Sequence, residues 1–150
     1  MAQRTELALP ELYVEDETAW LDAMAELIDA RAYAELDYVS LREYLSDMAK
    51  RDRREVESRL VVLLTHVLKW THQPGHRSRS WKATIIEQRR ELNRHLGQGV
   101  LRNHAEAALA EAYRDAVEQA VAETGLPPES FPTECEYALA ELLTYDPPAA

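Results

Sequence analysis

The chain has 150 residues and a net charge of −10, with 46% hydrophobic and 29% charged residues. This length and composition indicate a folded domain with its own core and exclude a disordered or fibrous protein. The single cysteine, Cys135, excludes an internal disulfide.

Residues 1–15 are predicted to form a loosely ordered arm, with Pro10 and Tyr13 as its anchors. The first helix is predicted to begin after Asp16, whose side chain can cap it, with Trp20 and Met24 on the buried side. A second helix is predicted from Ser40, because Ser40 and Glu43 have the spacing of a capping box.

A helical hairpin is predicted in the middle of the chain. Asp52 and Glu55 form another capping box, and an apolar helix extends from there to about residue 71. Pro74 and Gly75 interrupt it, and Ser80 can cap a second amphipathic helix that ends near residue 96. A short connection between two amphipathic helices predicts that they pack antiparallel.

The C-terminal third predicts a helix over residues 100–124 and a short last helix from Thr133. Alanines recur every four residues in the first of these, and Gly125 provides a C-terminal stop signal. Residues 146–150 are predicted to fray. The expected fold is all-α, a compact bundle of five to six helices with the hairpin at its centre, in one domain over residues 1–150.

Charge is distributed unevenly along this acidic chain. Residues 1–49 hold 3 basic and 12 acidic side chains, residues 50–94 hold 12 and 5, and residues 95–150 hold 2 and 10. A basic segment of this kind predicts either an anionic partner or internal neutralisation by the acidic flanks. Both interpretations are open at this point.

The stretch HVLKWTHQPGHRSRSWKATIIEQRREL, residues 66–92, resembles the signature of the bacterial domain of unknown function family 29. The pattern extends from Lys69 and Trp70 through Pro74 and Arg77 to Arg89, and the similarity covers nearly the whole chain. The resemblance implies an all-helical fold in a bacterial protein and implies no activity. Lys82 departs mildly from the family pattern, which has arginine nearby.

Glu57 is expected to lie within the apolar arc of the first hairpin helix, where a carboxylate needs a partner. Arg89 on the facing helix is the first candidate and Arg53 the second. We therefore predict a structural ion pair between Glu57 and Arg89.

The hairpin also predicts an anion-binding site, because guanidinium and ammonium groups concentrate around its turn. Trp70 and Trp81 lie on apolar stripes and are expected to hold the turn in place. The residues predicted to contact an anion are Lys69, His72, Arg77, Arg79, Lys82 and Arg90.

No motif assembles a catalytic set, a metal site or a cofactor site. His66 is most simply a boundary histidine, and no cysteine pair or acidic partner accompanies His72 and His76 at ligand spacing. We therefore expect a non-catalytic interaction module that binds an anionic protein or nucleic acid, without metal or cofactor. The alternatives are an enzyme acting on a phosphorylated or nucleic-acid substrate and one component of a toxin–antitoxin-like pair.

The expected compartment is the cytoplasm. The N-terminal sequence has no apolar segment behind a basic start, and the most apolar run, residues 60–64, is too short to cross a bilayer. A lone cysteine also suits a reducing environment.

Overall fold

The computed structural model describes residues 6–97 and 99–149, and in these ranges the chain forms helices and turns without a strand. Six α-helices occur there: α1 (Leu9–Glu15), α2 (Glu17–Asp29), α3 (Tyr38–His72), α4 (Arg79–His95), α5 (Val100–Thr124) and α6 (Leu139–Leu143). The all-α prediction is confirmed. No helix in the described ranges is both long and apolar enough to cross a membrane.

The chain divides into two compact units, Met1–Lys50 and Arg51–Ala150. The single domain over residues 1–150 stays a prediction. The arm predicted for residues 1–15 differs from the structure, because residues 9–15 form α1. Residues 1–5 lie outside the described part of the chain.

Trp20 is the centre of the first unit. Its side chain is fully buried, and its ring lies 4.7 Å from that of Tyr13 and 5.9 Å from that of Tyr44, between ring centres. Its indole Nε1 donates a hydrogen bond to Asp37 Oδ2 at 3.2 Å. Side chains of α1, α2 and α3 therefore meet at one aromatic ring.

Asp37, rather than Ser40, caps the start of α3. The backbone N–H of Ser40 donates to Asp37 Oδ1 at 3.2 Å, which places the cap three residues earlier than predicted. Burial opposes ionisation of this carboxyl, yet the hydrogen bonds from Ser40 and Trp20 bring its pKa below the ordinary value. The cap of α2 was predicted correctly, since Asp16 Oδ1 accepts from the Ala19 N–H at 3.0 Å.

The second unit packs α4, α5, α6 and the part of α3 after residue 50 around one core. Two contacts define the α3–α4 hairpin: Arg59 donates to Gln88 at 3.2 Å, and Lys69 Nζ lies 4.7 Å from the centre of the Trp81 ring. Because the later residue of α3 meets the earlier residue of α4, the two helices are antiparallel, as predicted. The largest fully buried side chains of this core are Leu60, Leu63, Leu64, Ile85, Leu92, Leu139 and Leu142.

Several helix ends differ from the sequence prediction. Helix α3 continues through Asp52 without a new start. Ser78, rather than Ser80, caps α4, and its Oγ accepts from the Trp81 N–H at 3.2 Å. Helix α6 begins at Leu139 instead of near Thr133.

The end of α5 and its packing face follow the prediction. Gly125 has a left-handed backbone with φ of 71°, a conformation that suits glycine, and its N–H bonds to the Val121 carbonyl. Ala112, Ala116 and Ala120 are buried on one side of α5. Small side chains at four-residue spacing allow the neighbouring helices to approach closely.

Candidate anion-binding surface

The hairpin turn is built from a short 3-10 segment, Pro74–His76, between the end of α3 and the cap of α4. Gly75, His76 and Ser78 are exposed, whereas Gln73 and Arg77 are partly covered. The turn therefore reaches solvent, as expected for a connection between two packed helices.

Lys69 points into the protein. It is 6% exposed, its Nζ lies 3.3 Å from Glu123 Oε2 on α5, and the same ammonium lies over the Trp81 ring. A carboxylate and an aromatic face together compensate a charge that would be costly to bury alone. Lys69 therefore joins α3, α4 and α5 and is not available to an external anion.

Arg77 holds the C-terminal segment against the hairpin. Its Nε donates to the Trp70 carbonyl at 2.8 Å, its Nη1 donates to the Ala149 carbonyl at 3.3 Å, and its guanidinium lies 5.1 Å from the centre of the Trp70 ring. Trp70 Nε1 in turn donates to the Pro148 carbonyl at 3.1 Å. Residues 146–149, predicted to fray, are thus bound by two side chains, while Ala150 lies outside the described residues.

Arg89 binds the same C-terminal segment at a residue earlier in the chain. Its Nη1 donates to the Tyr145 carbonyl at 2.6 Å, and Asn93 Nδ2 donates to the Leu143 carbonyl at 2.9 Å. Both contacts attach the end of α6 and the following residues to α4. We call Lys69, Arg77 and Arg89 the inner cations, because each uses its charged group to bind the protein itself.

The predicted ion pair between Glu57 and Arg89 is replaced by two other contacts. Glu57 Oε1 lies 2.7 Å from His104 Nε2 on α5, and Arg89 binds the Tyr145 carbonyl. The Glu57 side chain is also 46% exposed, so it is not a buried charge in need of an arginine. The reason is geometric: Glu57 faces α5, whereas the pairing of Arg59 with Gln88 places other residues opposite α4.

Arg79, Lys82 and Arg90 form a second set, which we call the outer cations. All three are exposed. In the part of the chain that the structure describes, their side chains make no hydrogen bond or ion pair, and the side-chain contacts of α4 involve other residues. At about 100° per residue they lie within an arc of about 80° on α4 and span about 16 Å of its length.

Five of the six predicted anion ligands therefore separate into two groups, and His72 belongs to neither. Arg79, Lys82 and Arg90 lie on one exposed face, whereas Lys69 and Arg77 are inner cations. His72 is half-buried and contacts the Phe131 ring edge-on at 5.2 Å between ring centres. The residues between the outer cations on the same arc of α4 carry no acidic side chain, so the face is locally positive.

No group of three or more metal-ligating side chains occurs in the ranges that the structure describes. Burial raises the pKa of the Cys135 thiol, whose Sγ lies 3.4 Å from the Tyr137 carbonyl, so this thiol is a weak nucleophile at neutral pH. Burial also raises the pKa of Tyr113 to about 12, and its hydroxyl donates to the Pro132 carbonyl.

One polar feature was missed by the sequence prediction. Helix α5 carries a second four-residue repeat beside its alanines, formed by Glu111, Asp115, Gln119 and Glu123. The last three of these line a cavity with His66 of α3. The repeat itself was the available signal, because residues four apart share one face of a helix.

Comparison with known proteins gives one match. The family model described as "Domain of unknown function DUF29" matches residues 12–146, nearly the whole chain. No curated protein and no solved structure matches the chain.

Proposed function

This chain belongs to the family described as domain of unknown function DUF29, and we propose that it is a non-catalytic interaction module whose outer cations contact an anionic partner. Arg79, Lys82 and Arg90 bind anionic groups of the partner directly. The inner cations act indirectly, by keeping α4 fixed against the rest of the second unit. A cytoplasmic location in a bacterium is part of the proposal.

The observation that carries the proposal is the free state of the outer cations. A guanidinium or ammonium group without an internal partner retains its full capacity to donate hydrogen bonds to phosphate or carboxylate. Three such groups on one rigid helix face form a surface instead of scattered single charges. The spacing of about 16 Å along the helix suits an extended anionic partner better than a small ion.

The charge of the whole chain sets a condition on this interaction. A net charge of −10 repels a polyanion at long range, so binding depends on the local field of α4. At about 0.15 M ionic strength the Debye length is about 8 Å, which screens distant acidic residues more than it weakens direct contacts. Binding is therefore expected to be weak at very low salt as well as at high salt, with an optimum between.

The test compares two triple variants of equal charge. In one, Arg79→Gln, Lys82→Gln and Arg90→Gln remove the outer cations. In the other, Arg42→Gln, Arg51→Gln and Arg54→Gln remove three exposed cations of α3. Fluorescence anisotropy is measured with a labelled single-stranded RNA and with a labelled polyglutamate peptide.

The proposal expects the outer triple variant to lose roughly tenfold or more in affinity for one of these probes, since each lost phosphate or carboxylate contact weakens binding. The control triple variant should keep its affinity within about threefold, because only general charge has changed. Equal losses in both variants, or no binding of either probe by the wild type, would contradict the proposal. The probe that responds also tells nucleic acid from acidic protein as the partner class.

A second candidate rests on the first unit. Residues 1–50 hold 12 acidic and 4 basic side chains, and Val14 and Val39 are 83% and 81% exposed. Acidic charge beside exposed apolar side chains fits a basic protein partner, as in a toxin–antitoxin-like pair. Replacing Val14 and Val39 with serine should abolish co-purification with a protein encoded next to this one if that candidate is right, and should leave α4-dependent binding unchanged.

A further inference from the structure

A cavity of about 320 Å³ lies between α3 and α5 in the second unit, away from the outer cations. Val61 and Val62 form its apolar part. Its polar part comes from both helices, with Ser58 and His66 on α3 and Asp115 and Gln119 on α5. This size is at the lower end of the range for small-molecule sites, which combine apolar walls with a few polar groups.

His66 presents a hydrogen-bond acceptor to this cavity. Its Nδ1 lies 2.8 Å from the Val62 carbonyl and must donate to it, because a carbonyl oxygen only accepts. In the neutral ring the proton is then on Nδ1, and Nε2 keeps its lone pair. Burial, and to a lesser degree the nearby Lys69 ammonium, lower the pKa of His66, although the hydrogen bond to the Val62 carbonyl and, more weakly, Glu123 act in the opposite direction.

The second acceptor is the Asp115 carboxylate. Within the described ranges no ion pair engages it, whereas Glu123 at the edge of the cavity is held by Lys69 at 3.3 Å. The side-chain carbonyl of Gln119 adds a neutral acceptor. The cavity therefore offers an imidazole nitrogen, a carboxylate and an amide oxygen around an apolar wall.

We propose that this cavity is a binding site for a small organic cation with at least one alkylammonium group. The ammonium donates to the Asp115 carboxylate and to His66 Nε2, and the alkyl chain packs on Val61 and Val62. An anionic ligand is disfavoured, because the charged group of the cavity without an internal partner is a carboxylate.

A neighbouring hollow extends the site and favours a ligand with two or more amines. It has a volume of about 230 Å³, shares Val61 and Asp115 with the first cavity, and is lined by Glu57 and Glu111. From Glu57 to His66 the groove follows nine residues of α3, about 14 Å at 1.5 Å per residue. A linear polyamine matches this sequence of acceptors along an apolar wall, although Glu57 Oε1 is shared with His104 Nε2 at 2.7 Å.

The affinity depends on pH in a defined direction. Below its lowered pKa, His66 becomes a cation, which repels the ligand and no longer has an acceptor nitrogen. The Lys69 ammonium also repels the ligand, whereas the carboxylates of Asp115 and Glu123 attract it. Ligand affinity should therefore rise with pH through the pKa of His66 and level off above it. A His66→Gln variant, which cannot titrate, should lose this pH dependence.

Isothermal titration calorimetry with spermidine tests the site on the full chain. Asp115→Asn should weaken binding about tenfold or more, since it removes the charge partner of the ammonium. Glu118→Gln is the matched control, because it makes the same charge change on an exposed position of α5 outside the cavity. It should alter the affinity by less than about twofold.

Thermal unfolding of each variant separates loss of the site from loss of the fold. The proposal is overturned if wild type shows no saturable binding up to about 1 mM spermidine, or if both variants weaken binding equally. It is also overturned if binding has the same pH dependence in wild type and His66→Gln. None of these outcomes bears on the outer cations, so the function proposed for α4 is tested independently.

Discussion

The inner and the outer cations of the hairpin have the same charge but different surroundings. Lys69, Arg77 and Arg89 bind a carboxylate, an aromatic ring or backbone carbonyls within the second unit. The outer cations, only one to a few residues away in sequence, reach solvent without an internal partner in the described residues. Local charge density in a sequence therefore does not distinguish structural from free cations, and only the partners of each charge do.

This difference has a physical origin in the C-terminal segment. Residues 143–149 expose backbone carbonyls to the hairpin, and buried carbonyls need donors. Arginine can donate to two carbonyls at once from a planar group, and the indole of Trp70 provides another donor. The contacts of Arg77 and Arg89 are thus explained by backbone carbonyls that need hydrogen-bond donors, and not by ion pairs.

The largest expected effect is at Trp70, whose ring contacts the Arg77 guanidinium and whose indole N–H binds the C-terminal segment. Trp70→Ala should lower the free energy of unfolding by about 3–5 kcal/mol, because it removes a buried ring, the contact with the Arg77 guanidinium and the bond to the Pro148 carbonyl. Urea denaturation followed by circular dichroism measures it. Trp70→Phe is the control: it keeps an aromatic ring and should lose clearly less, and an equal loss would assign the effect to the hydrogen bond alone.

A smaller effect is expected for Arg89 and Arg90, which are neighbours in sequence although the first is an inner cation and the second an outer cation. Arg89→Ala should cost about 1–2 kcal/mol, because the Tyr145 carbonyl loses a charged donor in a partly buried position. Arg90→Ala should change stability by no more than about 0.5 kcal/mol, since its side chain is exposed and unbound. The comparison of inner and outer cations fails if the two variants unfold at the same urea concentration.

The sequence predicted the elements well where one local signal stood alone. Asp16 and Gly125 are the single good cap and the single good stop in their neighbourhoods, and both ends are correct. Where capping residues compete, tertiary contacts decide. Ser40 was predicted as the cap instead of Asp37, because no local pattern shows that Trp20 will donate a hydrogen bond to the Asp37 carboxylate.

Side-chain partners were predicted less well than helices. The interpretation of Glu57 failed because α3 contacts both α4 and α5, and a helical wheel does not say which neighbour a residue meets. The bound tail was missed because a Pro- and Ala-rich composition suggests fraying, whereas its order comes from carbonyl acceptors that composition does not reveal.

The family resemblance itself acquires a structural explanation. Of the residues that carry it, Lys69, Trp70 and Arg77 form the contacts of the turn. Ser78 caps α4, and Arg89 fixes the tail. The signature therefore identifies a way of building the hairpin, and this explains why it predicted the fold and was silent on the partner.

The smallest expected effect concerns a clamp at the open end of the hairpin, where Arg59 binds both Glu55 and Gln88. The hydrogen bond from Arg59, with help from His95, lowers the pKa of Glu55 although burial opposes it. On acidification, Glu55 is therefore protonated at a higher pH in the unfolded chain than in the folded protein. Its contribution to the free energy of unfolding is complete above the ordinary pKa and is lost as pH falls through the lowered pKa. Because Glu55 and Arg59 are partly exposed, the effect should be modest.

Glu55→Gln tests this sign, since the amide oxygen still accepts from Arg59 but carries no charge. At pH 7 the variant should be slightly less stable than wild type, and the difference should vanish once the pH is below the lowered pKa of Glu55. Glu87→Gln on α4, an exposed carboxylate outside the ion pairs of the described chain, should show no such convergence. If Glu55→Gln and wild type have the same free energy of unfolding at every pH, the ion pair at the open end of the hairpin contributes nothing to stability. Stabilisation by bound cations is then confined to the inner cations.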